Sequence, residues 1–498
     1  MSSPEPGFDG DVGLLSPVSA SPLVAILTGD RAVLAAILAV EAAWASVLEK
    51  AGLAPAGSAA VITAAADVSH YDAADITVRA QGGGNPVIPL LDDLRTQVRK
   101  LDTGNIGAVR AVHTSLTSQD VLDSALMLLA RNAVAALLGD VHSTTTALAS
   151  LAERHADTLC VGRSLTQHSL PVTFGLRAAQ WFHGLAAAAR KLESVQLPVQ
   201  TGGAAGTLAS GTVLVETSRG TGTSSGREAG RIPGSAVSAL DLSDRLAAQL
   251  GLSPTPAPWH TNRFAVTSLG DALAGVTDAL GKIAADILFL SRPEVAEVAE
   301  PRAAGRGVSS AMPQKQNPVL SVLVRSAALQ APNLAAQLHH AAASFNDERP
   351  DGAWHSEWQA FRELLRLSLG AAGLARELAE GLQVFPEAMR RNLDLSGPLL
   401  LSEAVASAVA PLLGEDGRKL LQSAVDRTLL APAAEQKATY CRLLRETVAQ
   451  DKLSDQRLEE LLDPANYLGH SHQISRRILA AFPEFSAKAT QGTEGRPL

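Results

Sequence analysis

Residues 117–156 open on Thr117-Ser118-Gln119-Asp120 and continue as VLDSALMLLARNAVAALLGDVHSTTTALASLAERHA. A helical pattern of that length with no interior cap specifies a rod, and an apolar rod must pack against other rods. Similar long patterns occupy roughly 173–195, 264–292 and 318–345. Asp30 opens another helix, RAVLAAILAVEAAWASVLEKAG, which Gly52 closes. A polar start and a glycine stop are the expected punctuation of a helix. After GGGNP at 82–86 a further helical pattern begins at Val87.

Composition says how such rods would pack. Hydrophobic residues make up 46% of the 498 positions but aromatics only 4%, so alanine and leucine must fill the core. Both are strong helix formers, and strand signals are few. The expected fold class is all-α: a long central helical bundle flanked by two smaller helical domains. The divisions expected are an N-terminal domain 1–115, a long-helix bundle 116–365 and a C-terminal domain 366–498. Within the bundle, residues 216–235 (ETSRGTGTSSGREAGRIPGS) read as a flexible insertion, because glycine, serine and threonine dominate them.

A net charge of −8 argues against nucleic acid as the main partner. Cys160 and Cys441 lie far apart in helical patterns and read as buried free thiols. The first residues, MSSPEPGFDGDVG, lack the basic region of a signal peptide. No unbroken apolar run approaches the roughly 18–20 residues needed to span a membrane. A soluble, cytoplasmic protein is the expectation. His339 and His340 are adjacent, and no histidine or cysteine cluster has zinc spacing, so no metal is expected.

Three stretches could carry chemistry. GVSSAMPQKQNP at 307–318 follows the cationic, glycine-containing RAAGRG. It is either a polar loop opening the helix at Pro318 or a hydroxyl and an ammonium poised for proton transfer and charge stabilisation. GRSLTQHSLPVTFG at 162–175 reads as a helix entrance with polar Arg163, Gln167 and His168. HTSLTSQD at 113–120 offers hydroxyls at a helix start, either as caps or as an anion site.

Taken together, in this order and spacing, the three stretches resemble the signature regions of the fumarase/aspartase superfamily, with SSAMPQKQNP matching its signature loop. The resemblance runs over roughly residues 14–480. It implies β-elimination or its reverse on a small carboxylate substrate, in a homotetramer whose active sites are composite. Within the superfamily, GRSLTQHSLPVTFGLRAAQW, LPVQTGGAAGTLAS, PWHTNR (258–263) and AWHSEW (353–358) resemble the 3-carboxy-cis,cis-muconate cycloisomerase branch. Most lyases of the superfamily carry a histidine acid where this chain has Leu165. A carboxylate nucleophile is already anionic and needs no such partner.

What the resemblance implies for residues is then specific. Ser309 transfers the carbon-bound proton, Lys315 stabilises the enolate-like charge, and His168 is a further catalytic candidate. His113, Thr117, Ser118, Gln167, Arg263, Ser310, Met312 and Asn317 are expected to bind the tricarboxylate substrate. No cofactor, metal, nucleic acid or membrane is implied. Two departures stand out: Val308 replaces the usual glycine, and the 216–235 excursion is longer than the branch carries. The rival readings are an adenylosuccinate or argininosuccinate lyase, which Leu165 argues against, and a non-catalytic helical scaffold.

Overall fold

The structure, a computed structural model, describes residues 14–220 and 237–486. Six helices and one hairpin matter for function. They are α1 (Asp30–Lys50), α2 (Ser118–Arg154), the strands β1 (Leu159–Ser164) and β2 (Gln167–Thr173), α3 (Phe174–Glu193), α4 (Phe264–Leu290), α5 (Val319–Ala343) and α6 (Gly352–Gly381). Among the described residues the fold is all-α apart from two small antiparallel ladders, β1–β2 and Val298–Ala299 with Gln383–Val384.

Two compact units divide the chain. The first comprises Met1–Gly139, Ala189–Asp278 and Ser326–Gly373; the second comprises Asp140–Ala188, Ala279–Arg325 and Leu374–Leu498. Each boundary falls inside one of the helices α2 to α6, so this division differs from the three successive domains expected. The expected boundary at 365/366 also falls inside α6, which continues to Gly381; the shorter helices begin only at Pro386. The apolar periodicity of α6 carries straight through that point, and the glycines Gly370 and Gly373 do not break it. Residues 216–220 of the expected insertion form the end of helix Ala209–Gly220, and 221–235 lie outside the described residues.

In the first unit, α1 buries Ile37, Leu38, Val40, Val47 and Leu48. It packs on the helices Ser58–Ala65 and Ala239–Leu250. Each fully buried leucine there contributes roughly 1.5–3 kcal/mol. Gly52 stops the helix in a left-handed conformation (φ 71°). The Leu53 amide donates back to Leu48 O at 2.9 Å and the Gly52 amide to Glu49 O at 2.9 Å, which satisfies the last carbonyls. In the second unit the helices after Ser402 close a core of their own around Val409, Leu421, Tyr440 and Leu444.

Among the described residues, three helices are long and apolar enough to cross a membrane by length and composition: Pro22–Lys50, Ser118–Arg154 and Val319–Ala343. This corrects the reading from unbroken runs, because an alanine-rich helix reaches the same mean apolarity with a charge or two embedded. Three charges embedded in the first two of these helices have protein partners: Glu41 is held by His113, Asp120 by His260 and Asp123 by Arg263.

Candidate active site

The first unit carries the HTSLTSQD stretch. The hydroxyls at this helix start are expected either as caps or as part of an anion site. Asp120 Oδ2 accepts from the Thr117 amide at 2.9 Å. The Thr117 hydroxyl accepts from Arg349 Nη1 at 2.8 Å. Arg349 reaches Gln119 Oε1 at 3.4 Å but pairs with no carboxylate among the described residues. A guanidinium with no carboxylate partner, a hydroxyl and the first-turn amides of a helix are groups of the kind that can hold an anion. Sequence reasoning missed Arg349; its isolation from its partners by 232 positions hides the pairing.

His113 sits beside this end of α2 in a left-handed conformation (φ 60°). Both oxygens of the buried Glu41 hold it: Oε1 lies 2.7 Å from Nδ1, and Oε2 accepts the His113 amide at 2.9 Å. The carboxylate fixes the ring and leaves Nε2 without a partner among the described residues, open to a ligand. Ser115 is also left-handed (φ 63°). Such conformations cost about 1–3 kcal/mol each and persist where the surroundings over-determine them.

Arg263 does not fit its expected role. It is buried, with Nη1 2.7 Å from Asp123 Oδ2, Nη2 2.7 Å from Glu357 Oε2 and Nε 3.1 Å from Glu357. The aromatic faces of Trp259 and Phe345 lie at 4.7 and 5.1 Å. Its donors are committed to two buried carboxylates and the Trp259 carbonyl, so nothing remains for a substrate. The sequence showed an arginine in a resembling motif but not the two carboxylates, 140 and 94 positions away, that claim it. One cation facing two carboxylates leaves a residual negative charge. Burial pushes the Glu357 carboxyl up to about 7, against the pull of Arg263 and with the Asp123 charge adding to the rise.

The sign of the pH effect follows. A carboxyl raised in the fold above its ordinary value of 4.5 favours the protonated form. Its stability contribution is therefore complete below about pH 4.5 and is lost as pH rises through about 7. Glu357→Gln, which cannot titrate, should gain on the wild type by up to about 3 kcal/mol between pH 5 and pH 8, at 1.36 kcal/mol per unit. Urea unfolding of both proteins at the two pH values checks this; parallel pH courses would refute it.

The second unit carries the other two stretches. GRSLTQHSLPVTFG was read as a helix entrance, but it forms the β1–β2 hairpin. Leu165 and Thr166 make its two-residue turn, both with positive φ (49° and 70°). Such a turn is normally marked by Asn-Gly or Asp-Gly, so Leu-Thr gave no signal for it. Leu165 is 96% exposed at the tip, and Gln167 beside it is exposed too. His168 is half-buried; its Nδ1 lies 2.7 Å from Ser396 Oγ. Burial, and then Arg163, hold its pKa below the ordinary histidine value, and Nε2 has no partner among the described residues. Arg163 itself anchors the hairpin, with Nη2 2.6 Å from the buried Glu297, which Asn392 also holds at 2.8 Å. A cavity of about 340 Å³ lies behind the hairpin; Arg163, Arg177, Lys282 and Asp286 are among its lining, and none of the expected site residues is.

The loop 307–317 is closed at its neck. Gly307 O accepts from the Asn317 amide at 2.8 Å and from Asn317 Nδ2 at 3.1 Å, and Val308 bridges to Gln316. Gly307 (φ 67°) is the glycine this geometry needs, because a Cβ there would sit 2.4 Å from Asn317 O. Val308 is exposed and takes no such position, which answers the departure noted at that residue. Asn317 thus fastens the loop with an amide that was expected on substrate. At the tip, Ser309 Oγ accepts from the Ala311 and Met312 amides at 3.3 and 3.0 Å. Two N–H dipoles aimed at a hydroxyl oxygen favour its alkoxide. Ser310, Met312 and Lys315 are exposed beside it, and the Lys315 ammonium has no partner among the described residues.

The expected residues therefore fall into two groups. His113, Thr117 and Ser118 belong to one unit; Gln167, His168, Ser309, Ser310, Met312, Lys315 and Asn317 belong to the other.

The comparisons define the class that this fold and these loops belong to: the chain is a member of the lyase family, matched over residues 18–220 and 228–332, and so an enzyme of the fumarase/aspartase superfamily. Nitrosuccinate lyase of Streptomyces davaonensis is 41% identical over 478 residues, covering 94% of each chain. The 3-carboxy-cis,cis-muconate cycloisomerase of Pseudomonas aeruginosa is 38% identical over 464 residues, 93% of this chain and 94% of that one. Among solved structures, the 3-carboxy-cis,cis-muconate lactonizing enzyme of Pseudomonas putida superposes with a TM-score of 0.82 at 33% identity, covering 95% of this chain and all of the other.

Proposed function

We propose that the enzyme closes 3-carboxy-cis,cis-muconate to its lactone, as a step of aromatic catabolism. The carrying observation is the Ser309 hydroxyl held under two amides in a chain whose hairpin tip bears an apolar, exposed Leu165. One substrate carboxylate adds across a conjugated double bond, forming a C–O bond and pushing the electron pair into a neighbouring carboxylate as an enolate. Lys315 and the Thr117–Ser118 end of α2 stabilise that charge. The Ser309 hydroxyl delivers its proton to carbon, and its alkoxide, held by the Ala311 and Met312 amides, recovers a proton from solvent. In the reverse direction the leaving group is a carboxylate, a weak base that departs without a protein acid, so an apolar Leu165 costs nothing. Amine and amidine departure in the adenylosuccinate or argininosuccinate manner would require a donor there.

That reading places the protein in the cytoplasm as a homotetramer with sites composed across subunits. Helix α5 supports it, because only 33% of its most apolar stretch is buried within the single chain.

A second reading is favoured by the 41% identity to a nitrosuccinate lyase. Loss of nitrite from nitrosuccinate also expels a weakly basic anion beta to a carboxylate-stabilised carbanion, so the same residues and the same apolar Leu165 suit it. One experiment separates the readings. The purified enzyme is given 3-carboxy-cis,cis-muconate, with loss of diene absorbance followed, and separately 2-nitrosuccinate, with nitrite release followed. Diene loss without nitrite release is the expected result. Nitrite release alone would transfer the site to the second reading, and the absence of both signals would overturn both readings.

A further inference from the structure

We infer that His260 is a positioning residue for the anion-binding end of α2, acting through Asp120; this rests on the proposed use of Thr117 and Ser118 in substrate binding. Asp120 is fully enclosed and serves three partners. Its Oδ1 lies 2.7 Å from His260 Nε2, while Oδ2 accepts from the Thr117 and Gly203 amides, each at 2.9 Å. The carboxylate thereby ties the start of α2 to the glycine loop 202–206, and His260 holds the carboxylate from behind.

The imidazole is built in for that single bond. It is 2% exposed, and its Nδ1 is buried with no hydrogen-bond partner. Nε2 therefore carries the proton and donates it to Asp120, and the ring has no second function through Nδ1. The glycine loop is shaped around it: a Cβ at Gly202 would lie 2.6 Å from His260 Cε1 and 2.9 Å from Pro258 Cβ. Gly203 and Gly206 both take a φ of 71°. The segment bearing His260 is fixed in turn, since Gln119 Nε2 donates to His260 O at 2.9 Å and the Trp259 amide donates to Gln200 Oε1 at 2.9 Å. The Thr117 backbone, and with it the hydroxyl that meets Arg349, is set by this arrangement. Without His260 the Asp120 carboxylate loses the donor that turns it inward, and it is left beside a site meant for anions.

The test compares His260→Leu, which removes the donor, with His260→Gln, whose amide N–H falls near the position of Nε2. Kinetics are measured on whichever of the two substrates the wild type turns over. Misplacement of a binding group by about 1 Å can cost 10²-fold, so His260→Leu should lose about 10- to 10²-fold in kcat/KM, with KM raised. His260→Gln should stay within about threefold of the wild type. A merely structural residue would lower Tm in both variants and leave kcat and KM of the folded protein unchanged; that result overturns the inference, as does equal impairment of the two variants. Where His260→Leu does not fold, Asp120→Asn carries the same expected loss, and wild-type kinetics there overturn the inference equally. If the wild type turns over neither substrate, the functional reading has failed, and the inference is judged by calorimetric binding of tricarballylate. Weaker binding to His260→Leu than to His260→Gln supports it, and equal binding overturns it.

Discussion

Arg263→Leu is expected to destabilise the protein by about 3–5 kcal/mol, the cost of breaking a buried ion pair by removing one partner. The magnitude comes from what is left behind. Asp123 and Glu357 are 1% and 2% exposed and would face each other with no cation between them. Trp354 Nε1, 3.0 Å from Asp123 Oδ1, is too weak a donor to compensate. Leucine fills part of the volume between Trp259 and Phe345 but answers neither carboxylate. Arg263→Lys should recover only part of the loss, because one ammonium cannot bond both carboxylates in the bidentate manner of a planar guanidinium. Urea unfolding followed by circular dichroism measures both variants. A folded Arg263→Leu protein with wild-type stability and a raised KM would return Arg263 to substrate binding and remove the reassignment made from its burial.

Arg263 also shows where sequence reading stops. Helix periodicity is a local property, so α1, α2, α3, α4 and α5 were legible to within a few residues, as was the Gly52 stop. Partnership between distant residues is not local. Nothing in PWHTNR announces Asp123 or Glu357, and nothing in HTSLTSQD announces Glu41, Asp120's hold on Gly203, or Arg349. The β1–β2 hairpin escaped for a different reason, since its turn is made by Leu165 and Thr166, residues that disfavour positive φ. Its paired register alternates poorly too, being interrupted at Gly162, where a Cβ would meet Leu170 O at 2.9 Å. The left-handed residues His113, Ser115, Leu165 and Thr166 all lie in or beside the stretches singled out for chemistry. Local preference fails most where the chain is bent to place functional groups, so the same positions that carry the site are those whose geometry composition could not reveal.

Ser309→Ala and Lys315→Met should fail in different ways. On the proposed mechanism the Ser309 hydroxyl touches only the proton in flight, and general acid–base groups typically contribute about 10²–10⁴-fold. Ser309→Ala should therefore lose kcat by that order while KM changes little. The loop should survive the change, because its neck is closed by Gly307 and Asn317 and not by the serine; only the two amides at the tip lose their acceptor. Lys315 carries an unpartnered ammonium and meets substrate charge in the ground state and still more in the enolate. Its replacement by methionine should raise KM and lower kcat together. Steady-state kinetics of the two variants, with circular dichroism to verify folding, separates the roles. Near-wild-type turnover in Ser309→Ala would move proton transfer to another group, and His168 is then the first to test: it is half-buried, its pKa is lowered by burial, and its Nε2 is without a partner among the described residues. A Lys315→Met protein with unchanged KM would show instead that the ammonium acts on the enolate alone, with the substrate carboxylates held by the Thr117–Ser118 end of α2 and Arg349.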